Sequence, residues 1–326
     1  MARGEITLPA VPELLNDYTV LCDDTFKAVG VHFSQGELEQ LREILGAELN
    51  RAFTASPRSE VVITYDTPPG HTMNYRVVAR WRSVGEKYDN WVGSREGSLF
   101  GTEPDARVWD LVTRSGDPSS FSILDIGAGT GRNSLALARR GHPVDAVEMA
   151  QNFAGILLEE AQKEGLDHLR VIPTDLTAAE GYLHDKYDLI LLSEVIPDFR
   201  TVDQVREVFV MASRRLGPGG TLLFNIFLVR KNHDVDAAAI QFGQWAHTAI
   251  FTEEQLEKAA SGLPFELVAS DSVYDFEKSH MAAEHWPPTS WYEHWAKGLD
   301  VFEIDPENSP IEFRWLEYRK TAEVNG

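Results

Sequence analysis

The segment ILDIGAGTG at residues 123–131 constrains the fold more strongly than any other part of the sequence. A short apolar strand runs into a glycine-rich turn, and a helical pattern at 132–140 follows directly. Glycines in such a turn let the backbone approach a ligand closely, and the first N–H groups of the helix are available to bind it. The sequence therefore predicts a nucleotide-like ligand at a strand–turn–helix junction.

The spacing of the glycines restricts the class of ligand. A dinucleotide-binding turn has the pattern G-x-G-x-x-G, whereas the glycines here follow G-x-G-x-G, and Arg132 stands where that pattern has its third glycine. The P-loop pattern G-x-x-x-x-G-K-[ST] occurs nowhere in the chain. The turn therefore disfavours a nicotinamide dinucleotide and excludes a P-loop nucleotide site.

Strand and helix patterns alternate from residue 104 to about residue 229, which predicts an α/β fold with a doubly wound, mostly parallel sheet. Two later strand patterns bring this sheet to seven strands, so residues 101–326 are expected to form the main domain. Within it, residues 280–305 form an aromatic-rich insertion. The predicted strands lie at 122–126, 144–148, 169–173, 187–192, 220–228, 265–270 and 312–319.

Residues 1–100 carry a different pattern, which predicts a proline-marked extended arm, a helix and a β-hairpin. Ser34 and Glu37 have the spacing of a capping box, so the helix is expected to open at Ser34. The runs 60–65 and 74–81 alternate as strands around a turn at 67–70. We expect this region to form a lid packed on the main domain.

Acidic residues stand where the first three strands of the main domain end. Glu148 follows Gly127 by about 20 residues and can accept both hydroxyls of a ribose, a charge-assisted pairing of about 2 kcal/mol when water is excluded. Asp175 can accept the exocyclic amine of an adenine, and Asp125 can meet a ligand ammonium. These carboxylates favour a ligand with an amine, a ribose and an adenine, and they would repel a pyrophosphate.

Taken together, these segments resemble the class I S-adenosylmethionine-dependent methyltransferases. The resemblance covers residues 85–230. It rests on DIGAGTG at 125–131, the acids Glu148 and Asp175, YDLILLSE at 187–194 and LGPGG at 216–220. It implies a Rossmann-like fold, S-adenosylmethionine as the cofactor, and an aromatic segment over that cofactor. The cofactor-binding residues that it implies are Tyr88, Trp91, Asp125, Gly127, Ala128, Gly129, Asn133, Glu148, Met149, Asp175, Leu176 and Ser193.

Aromatic and titratable residues indicate how the protein would bind and activate the substrate that accepts the methyl group. Methyl transfer from a sulfonium requires aligned reactants and excluded water, and a hydroxyl acceptor also requires a base, for which we nominate Glu194 and His247 as catalytic residues. An arginine and aromatic rings would suit an amino-acid-like acceptor methylated on S or N, such as methionine. The predicted substrate-binding residues are Tyr65, His71, Tyr75, Arg76 and Trp291.

Other interpretations of the same residues stay open. An O-methyltransferase of a secondary-metabolite pathway fits the pattern, as does a protein that binds S-adenosylmethionine without chemistry. A single acid after a strand is more often a helix cap, and Arg76 equally fits a solvated face. Trp291 and Trp295 have the spacing of a packing stripe on a helix.

The charge balance limits the partners. Lys and Arg number 30 against 51 Asp and Glu, and the net charge of −21 repels nucleic acids and anionic membranes. No apolar run approaches the roughly 20 residues of a bilayer span and no signal-peptide pattern is present, so a cytoplasmic location is expected. A small-molecule substrate is predicted, and an acidic surface still permits a homodimer. The single cysteine, Cys22, predicts neither a disulfide nor a metal site.

Overall fold

The computed structural model describes residues 2–68, 73–81 and 100–322. The strands are β1 (Arg3–Pro9), β2 (Glu60–Asp66), β3 (Asn74–Arg80), β4 (Ile123–Ile126), β5 (Val144–Val147), β6 (Leu169–Ile172), β7 (Tyr187–Leu192), β8 (Leu216–Val229), β9 (Ile250–Phe251), β10 (Phe265–Ser272) and β11 (Ile311–Lys320). The helices are α1 (Leu15–Ala28), α2 (Gln35–Ala55), α3 (Ala106–Thr113), α4 (Arg132–Arg139), α5 (Gln151–Glu164), α6 (Leu176–Ala179), α7 (Val202–Arg215), α8 (Ala237–Trp245), α9 (Glu253–Ala260), α10 (Val273–His280) and α11 (Tyr292–Ala296).

The chain divides into two compact units. The first consists of Met1–Lys87 with Val235–His247, and the second of Tyr88–Asp234 with Thr248–Gly326. The sequence patterns place residues 235–247 in the main domain, whereas in the structure this stretch, which contains α8, belongs to the N-terminal unit. The first unit is therefore built from two separate parts of the chain.

The first unit contains a three-stranded antiparallel sheet that packs against α1 and α2. β1 pairs with β2 and β2 with β3, so the arm predicted before the hairpin is a strand of the same sheet. Apolar side chains of both helices and the sheet form the core, in which Cys22 and Phe26 are fully buried. Ser34 caps α2 as predicted: its Oγ accepts the N–H of Glu37, and the Glu37 carboxylate accepts the N–H of Ser34.

Hydrogen bonds and apolar packing join α8 to the rest of the first unit. The buried Arg58 donates through Nη1 to the backbone carbonyl of Trp245 at 2.7 Å, although the two residues lie 187 positions apart. The backbone N–H of Glu13 donates to Gln241 Oε1 at 3.1 Å, and Phe242 packs against the core of this unit. These long-range contacts explain why α8 belongs to the first unit and not to the main domain.

The second unit contains the seven predicted strands in the order β10-β11-β8-β7-β4-β5-β6, and β9, which pairs with β8, is an eighth strand of the same sheet. The pairs among β4, β5, β6, β7 and β8 are parallel, and β11 is antiparallel to both of its neighbours. The predicted Rossmann-like, mostly parallel sheet is thus confirmed. β8 begins earlier than expected, at Leu216, which pairs with Tyr187 ahead of the glycine–proline turn.

The central strands are short and wholly buried. All four residues of β4 and all four of β5 are buried, as expected for parallel strands covered on both faces. Because β5 and β7 flank β4 on opposite sides, the glycine turn after β4 lies where the strand order reverses, which is the usual place for a ligand in such sheets. Within the described ranges, no helix has the length and apolarity to cross a membrane.

Candidate active site

The turn after β4 needs its glycines for two reasons. Gly127, Gly129 and Gly131 have φ of +70°, +57° and +98°, a region that residues with side chains rarely adopt. A Cβ added to Gly127 would also overlap Val195 Cγ2, and one added to Gly131 would overlap Leu157 Cδ1. Only glycine at these positions therefore allows both this backbone conformation and the close contacts with Val195 and Leu157.

Glu148 follows β5 and joins this strand to the glycine turn. Its Oε2 accepts the N–H of Gly129 at 2.8 Å, and its Oε1 accepts the N–H of Ala150 at 2.7 Å. Burial raises the pKa of the Glu148 carboxyl, while these N–H groups oppose that rise. Because a carboxylate has about four acceptor positions, this one can also accept ribose hydroxyls.

Asp125, on β4, is a second buried carboxyl in the same region. The Ser134 hydroxyl donates to its Oδ2 at 2.6 Å. Burial raises the pKa of Asp125 to about 7, although the hydrogen bond from Ser134 opposes the shift. Two buried carboxyls that resist ionisation favour a ligand that brings positive charge and hydroxyl donors. These hydrogen-bond acceptors therefore fit S-adenosylmethionine, which carries a sulfonium, an ammonium and a ribose.

Asp175 has the helix-cap role that the sequence allowed. It is the N-cap of α6, and its Oδ1 accepts the N–H of Ala178 at 3.0 Å. The residue is exposed, so its other oxygen can still accept an adenine amine. Next to it, Leu176 packs at the border of the core, whereas Met149, after β5, is half exposed. Adenine recognition by this group stays a prediction.

Arg132, the first residue of α4, lies at the centre of a buried hydrogen-bond network. Its Nη1 donates to the Phe100 carbonyl at 2.9 Å, and its Nη2 donates to Glu194 Oε1 at 2.7 Å and lies 2.9 Å from Asp105 Oδ1. Burial would lower the pKa of Arg132, but the two carboxylates raise it above its usual value. In the sequence, Arg132 is notable only because it stands where a dinucleotide-binding turn has glycine, and no motif indicates Phe100 or Asp105.

Asn133 and Ser193 belong to the same network. Asn133 Nδ2 donates to Asp105 Oδ2 at 2.8 Å, and Asn133 Oδ1 accepts the N–H of Asp105 at 2.9 Å. The Ser193 hydroxyl donates to the same Oδ2 at 2.6 Å. Both side chains, predicted to bind cofactor, are thus engaged in holding Asp105, and a direct contact with the cofactor stays a prediction for each.

Glu194, the predicted base, lies two residues after the end of β7 and belongs to the same network through Arg132. Its backbone has a φ of +60°, which is uncommon for a residue other than glycine, and its N–H donates to Asn225 Oδ1 at 2.7 Å. Burial raises the pKa of the Glu194 carboxyl, and Arg132 opposes that rise. Its position after a central strand, beside the glycine turn, makes this buried carboxyl the candidate proton acceptor.

The residues predicted on the hairpin belong to the first unit. Tyr65 and Tyr75 pack on Phe26, with ring centroids 5.4 Å and 6.4 Å from it. Arg76 is exposed and, by strand alternation, points to the opposite face from Tyr75. The sheet therefore does not present an arginine and these rings on one face. His247, with a φ of +57°, ends the second segment of the first unit.

Trp291 belongs to an aromatic cluster in the predicted insertion. Its ring centroid lies 5.7 Å from that of Trp295. Trp295 packs in turn on Phe313 of β11 at 4.8 Å and on Phe227 of β8 at 5.4 Å. The packing stripe that the spacing allowed is therefore present, and contact with a substrate stays a prediction for Trp291. The remaining predicted residues Tyr88, Trp91 and His71 lie outside the described residues.

A family model described as a methyltransferase domain matches residues 38–270, which is more than half of the chain. The chain belongs to this methyltransferase family. This family match confirms the methyltransferase resemblance and S-adenosylmethionine as the cofactor. Solved methyltransferase structures share the fold. The methyltransferase resembles the geranyl diphosphate C-methyltransferase of Streptomyces coelicolor A3(2), with a TM-score of 0.52 and 12% identity over 73% of this chain and 97% of that one.

Two curated relatives differ in what their names say they methylate. The ubiquinone biosynthesis O-methyltransferase of Cronobacter sakazakii is 21% identical over 244 residues, which cover 72% of the methyltransferase and 93% of that relative. The ribosomal RNA small subunit methyltransferase A of Desulforapulum autotrophicum is 25% identical over 146 residues. This match covers 45% of the methyltransferase and 44% of the relative, so the chain spans less than half of that protein.

We expect the methyltransferase to release a proton from Asp125 when S-adenosylmethionine binds. The pKa of this carboxyl is about 7 before binding, and a nearby cation favours its ionised form. Affinity should therefore rise as the pH increases from about 6 to about 8. Calorimetry at about pH 6.5 in two buffers with different ionisation enthalpies measures the proton released.

The Asp125→Asn variant is the control, because it has no proton to release and its binding enthalpy should not depend on the buffer. A buffer-independent enthalpy for the unaltered protein would contradict this expectation.

The ionisation of Asp125 also affects the stability of the fold. Because the folded state holds this proton more tightly than the unfolded chain, the contribution of Asp125 to the free energy of unfolding falls as the pH rises from about 4 to about 7.

Proposed function

We propose that this methyltransferase transfers the methyl group of S-adenosylmethionine to an oxygen atom of a small molecule. The observation that carries the proposal is the pair of buried carboxyls, Asp125 and Glu148, beside the glycine turn at the point where the strand order reverses. This arrangement supports binding of a cationic nucleoside. Oxygen is proposed as the acceptor atom because the relative matched over 93% of its length is an O-methyltransferase.

A small molecule is proposed rather than RNA because of charge. RNA binding gains most of its affinity from cationic side chains that neutralise phosphates, and this chain has a net charge of −21. The match to the ribosomal RNA methyltransferase covers 44% of that protein. An amino-acid-like S- or N-acceptor, held by Arg76 against Tyr65 and Tyr75, loses support because Arg76 and those rings lie on opposite faces of their sheet.

Each part of the site has a distinct task in this reaction. S-adenosylmethionine supplies, when bound, a methyl group activated by its positively charged sulfur. The backbone of Gly127 and Gly129 allows close approach, and the Glu148 carboxylate orients the ribose. As the new O–C bond forms and the bond between the methyl carbon and sulfur breaks, Glu194 accepts the hydroxyl proton of the acceptor, so the methylated oxygen is left uncharged.

Turnover of a metabolite mixture with isotopically labelled S-adenosylmethionine tests the proposal. We expect the label to appear in a small product whose fragmentation locates the methyl group on oxygen. Label in an amine or thioether product would overturn the choice of acceptor atom, and label in RNA would overturn the choice of substrate class. Tight binding of S-adenosylmethionine with no labelled product across a broad metabolite panel would instead indicate a binding protein without chemistry.

The Glu194→Gln variant tests the proposed proton acceptor. Glutamine can still accept the hydrogen bond from Arg132, but it cannot take up a proton. We expect turnover of the hydroxyl acceptor to fall by about 10²- to 10⁴-fold, while the Kd for S-adenosylmethionine changes by less than about threefold. Glu159→Gln, at an exposed position of α5, is the matched control. Turnover above about half of the original rate in Glu194→Gln would remove Glu194 from this role.

A further inference from the structure

Arg132 begins the helix that follows the glycine turn and pairs with Glu194, and the reaction proposed above assigns it no further role. Its side chain is 7% exposed, and one guanidinium joins three parts of the second unit: the segment before α3, the start of α4 and the loop after β7. Such a planar fork of donors can bridge a carbonyl and two carboxylates at once, which a lysine ammonium cannot do with the same geometry.

The first of these bridges holds Phe100. Arg132 Nη1 donates to the Phe100 carbonyl at 2.9 Å. The Phe100 ring lies over Gly129, since a Cβ added to this glycine would be 3.5 Å from Phe100 Cδ2. The ring also makes an edge-to-face contact with Phe153, with the centroids 5.3 Å apart. Phe100 thus forms one wall beside the glycine turn.

The second bridge holds the loop after β7. Arg132 Nη2 donates to Glu194 Oε1 at 2.7 Å, and the next residue, Val195, packs directly on Gly127. Asp105 completes the arrangement, because its carboxylate pairs with Arg132 and accepts the Ser193 hydroxyl. Val195 thus forms the wall over the other glycine, and it depends on the same guanidinium.

We propose that Arg132 is a positioning residue that holds Phe100 over Gly129 and Val195 over Gly127 before S-adenosylmethionine binds. Ordering these walls in advance removes an entropic cost from cofactor binding. Arg132 also neutralises Asp105 and Glu194, so these carboxylates do not compete with Asp125 and Glu148 for the positive charge of the ligand. The inference rests on the cofactor and not on the identity of the acceptor.

A double-mutant cycle tests this role through the Kd for S-adenosylmethionine, measured by calorimetry. Arg132→Lys keeps the positive charge but removes the planar set of guanidinium donors. We expect it to weaken S-adenosylmethionine binding about tenfold in the otherwise unaltered protein. In the Phe100→Ala/Val195→Ala background, where the walls are already lost, the same change should weaken binding less than about twofold. Arg139→Lys, an exposed residue at the end of α4, should leave the Kd unchanged.

The outcomes separate the alternatives. Equal weakening by Arg132→Lys in both backgrounds would show that Arg132 acts without the two walls, and an unchanged Kd would show that it has no role in binding; either result overturns the proposal. Failure of the unaltered protein to bind S-adenosylmethionine would instead overturn the cofactor assignment. Hydrogen exchange of residues 100–105 and 193–197 in the ligand-free protein should be faster in Arg132→Lys.

A second variant keeps the test decisive if Arg132→Lys does not fold. Glu194→Ala removes one bridge and leaves Arg132 paired with Asp105, so no buried charge lacks a partner. We expect Glu194→Ala to weaken S-adenosylmethionine binding about fivefold, whereas Glu194→Gln, which keeps the acceptor oxygen, leaves it nearly unchanged. Equal affinities for the alanine and glutamine variants would contradict the role of this bridge.

Discussion

Replacement of Glu148 by alanine is expected to weaken S-adenosylmethionine binding by at least about 100-fold, or about 2.7 kcal/mol. The change removes the proposed ribose acceptor and also leaves the N–H groups of Gly129 and Ala150 without the oxygens that hold them. Hydrogen bonds to a charged group each contribute about 1.5–3 kcal/mol, so losing several of them at once accounts for this magnitude. Calorimetry with the purified protein measures the effect.

Two further variants make this expectation specific to the carboxylate. Glu148→Gln keeps one acceptor oxygen and should weaken binding by an intermediate factor of about tenfold. Glu159→Ala alters an exposed acid of α5 and should not change the Kd. If Glu148→Ala bound S-adenosylmethionine within about threefold of the unaltered protein, the nucleoside could not be held at the end of β5.

Gly131→Ala is expected to lower the free energy of unfolding of the second unit by about 3 kcal/mol or more. Its φ of +98° is unfavourable for any residue with a Cβ, at a cost of about 1–2 kcal/mol. The new methyl group would also overlap Leu157 Cδ1 and lie 3.0 Å from Leu135 Cγ, so α4 and α5 would have to move apart. Overpacking of this kind typically costs another 1–3 kcal/mol.

Gly116→Ala is the matched control for this change. Gly116 has a similar φ of +88°, but among the described residues nothing lies within 4 Å of an added Cβ. Only the backbone cost should appear there, so its destabilisation should be about 1–2 kcal/mol. Urea unfolding of both variants measures the difference. Equal destabilisation by the two substitutions would mean that close packing between α4 and α5 does not limit this turn.

The features that the sequence predicted well are local ones. Short, mostly apolar runs, each with one aspartate, indicated the central strands, and every residue of β4 and β5 is buried because both faces of the sheet are covered. The glycine turn was evident because left-handed φ angles at Gly127 and Gly129 restrict those positions to glycine. Glu148 could be selected because the acid after the second strand lies next to this turn in any parallel sheet of this order.

The features that the sequence did not reveal depend on distant contacts. Phe100 and Asp105 meet Arg132 only after folding, and their spacing along the chain matches no motif. The strand β1 was expected as an arm because its partner, β2, begins about 50 residues later. The opposite faces of Tyr75 and Arg76, in contrast, follow from alternation on the predicted strand and could have been deduced from the sequence.

Because the first unit is built from two separate stretches of chain, it can be deleted or exchanged only if both stretches change together. Removing the N-terminal stretch alone would remove the hydrogen bond from Arg58 to α8 and the apolar core around Phe242. The helix α8, between β8 and β9, would then lack its packing partners. A transplant into a related enzyme must therefore move both stretches together. Sequence drift in one stretch should accordingly be tolerated only with matching change in the other, even though about 150 residues of unrelated chain separate them.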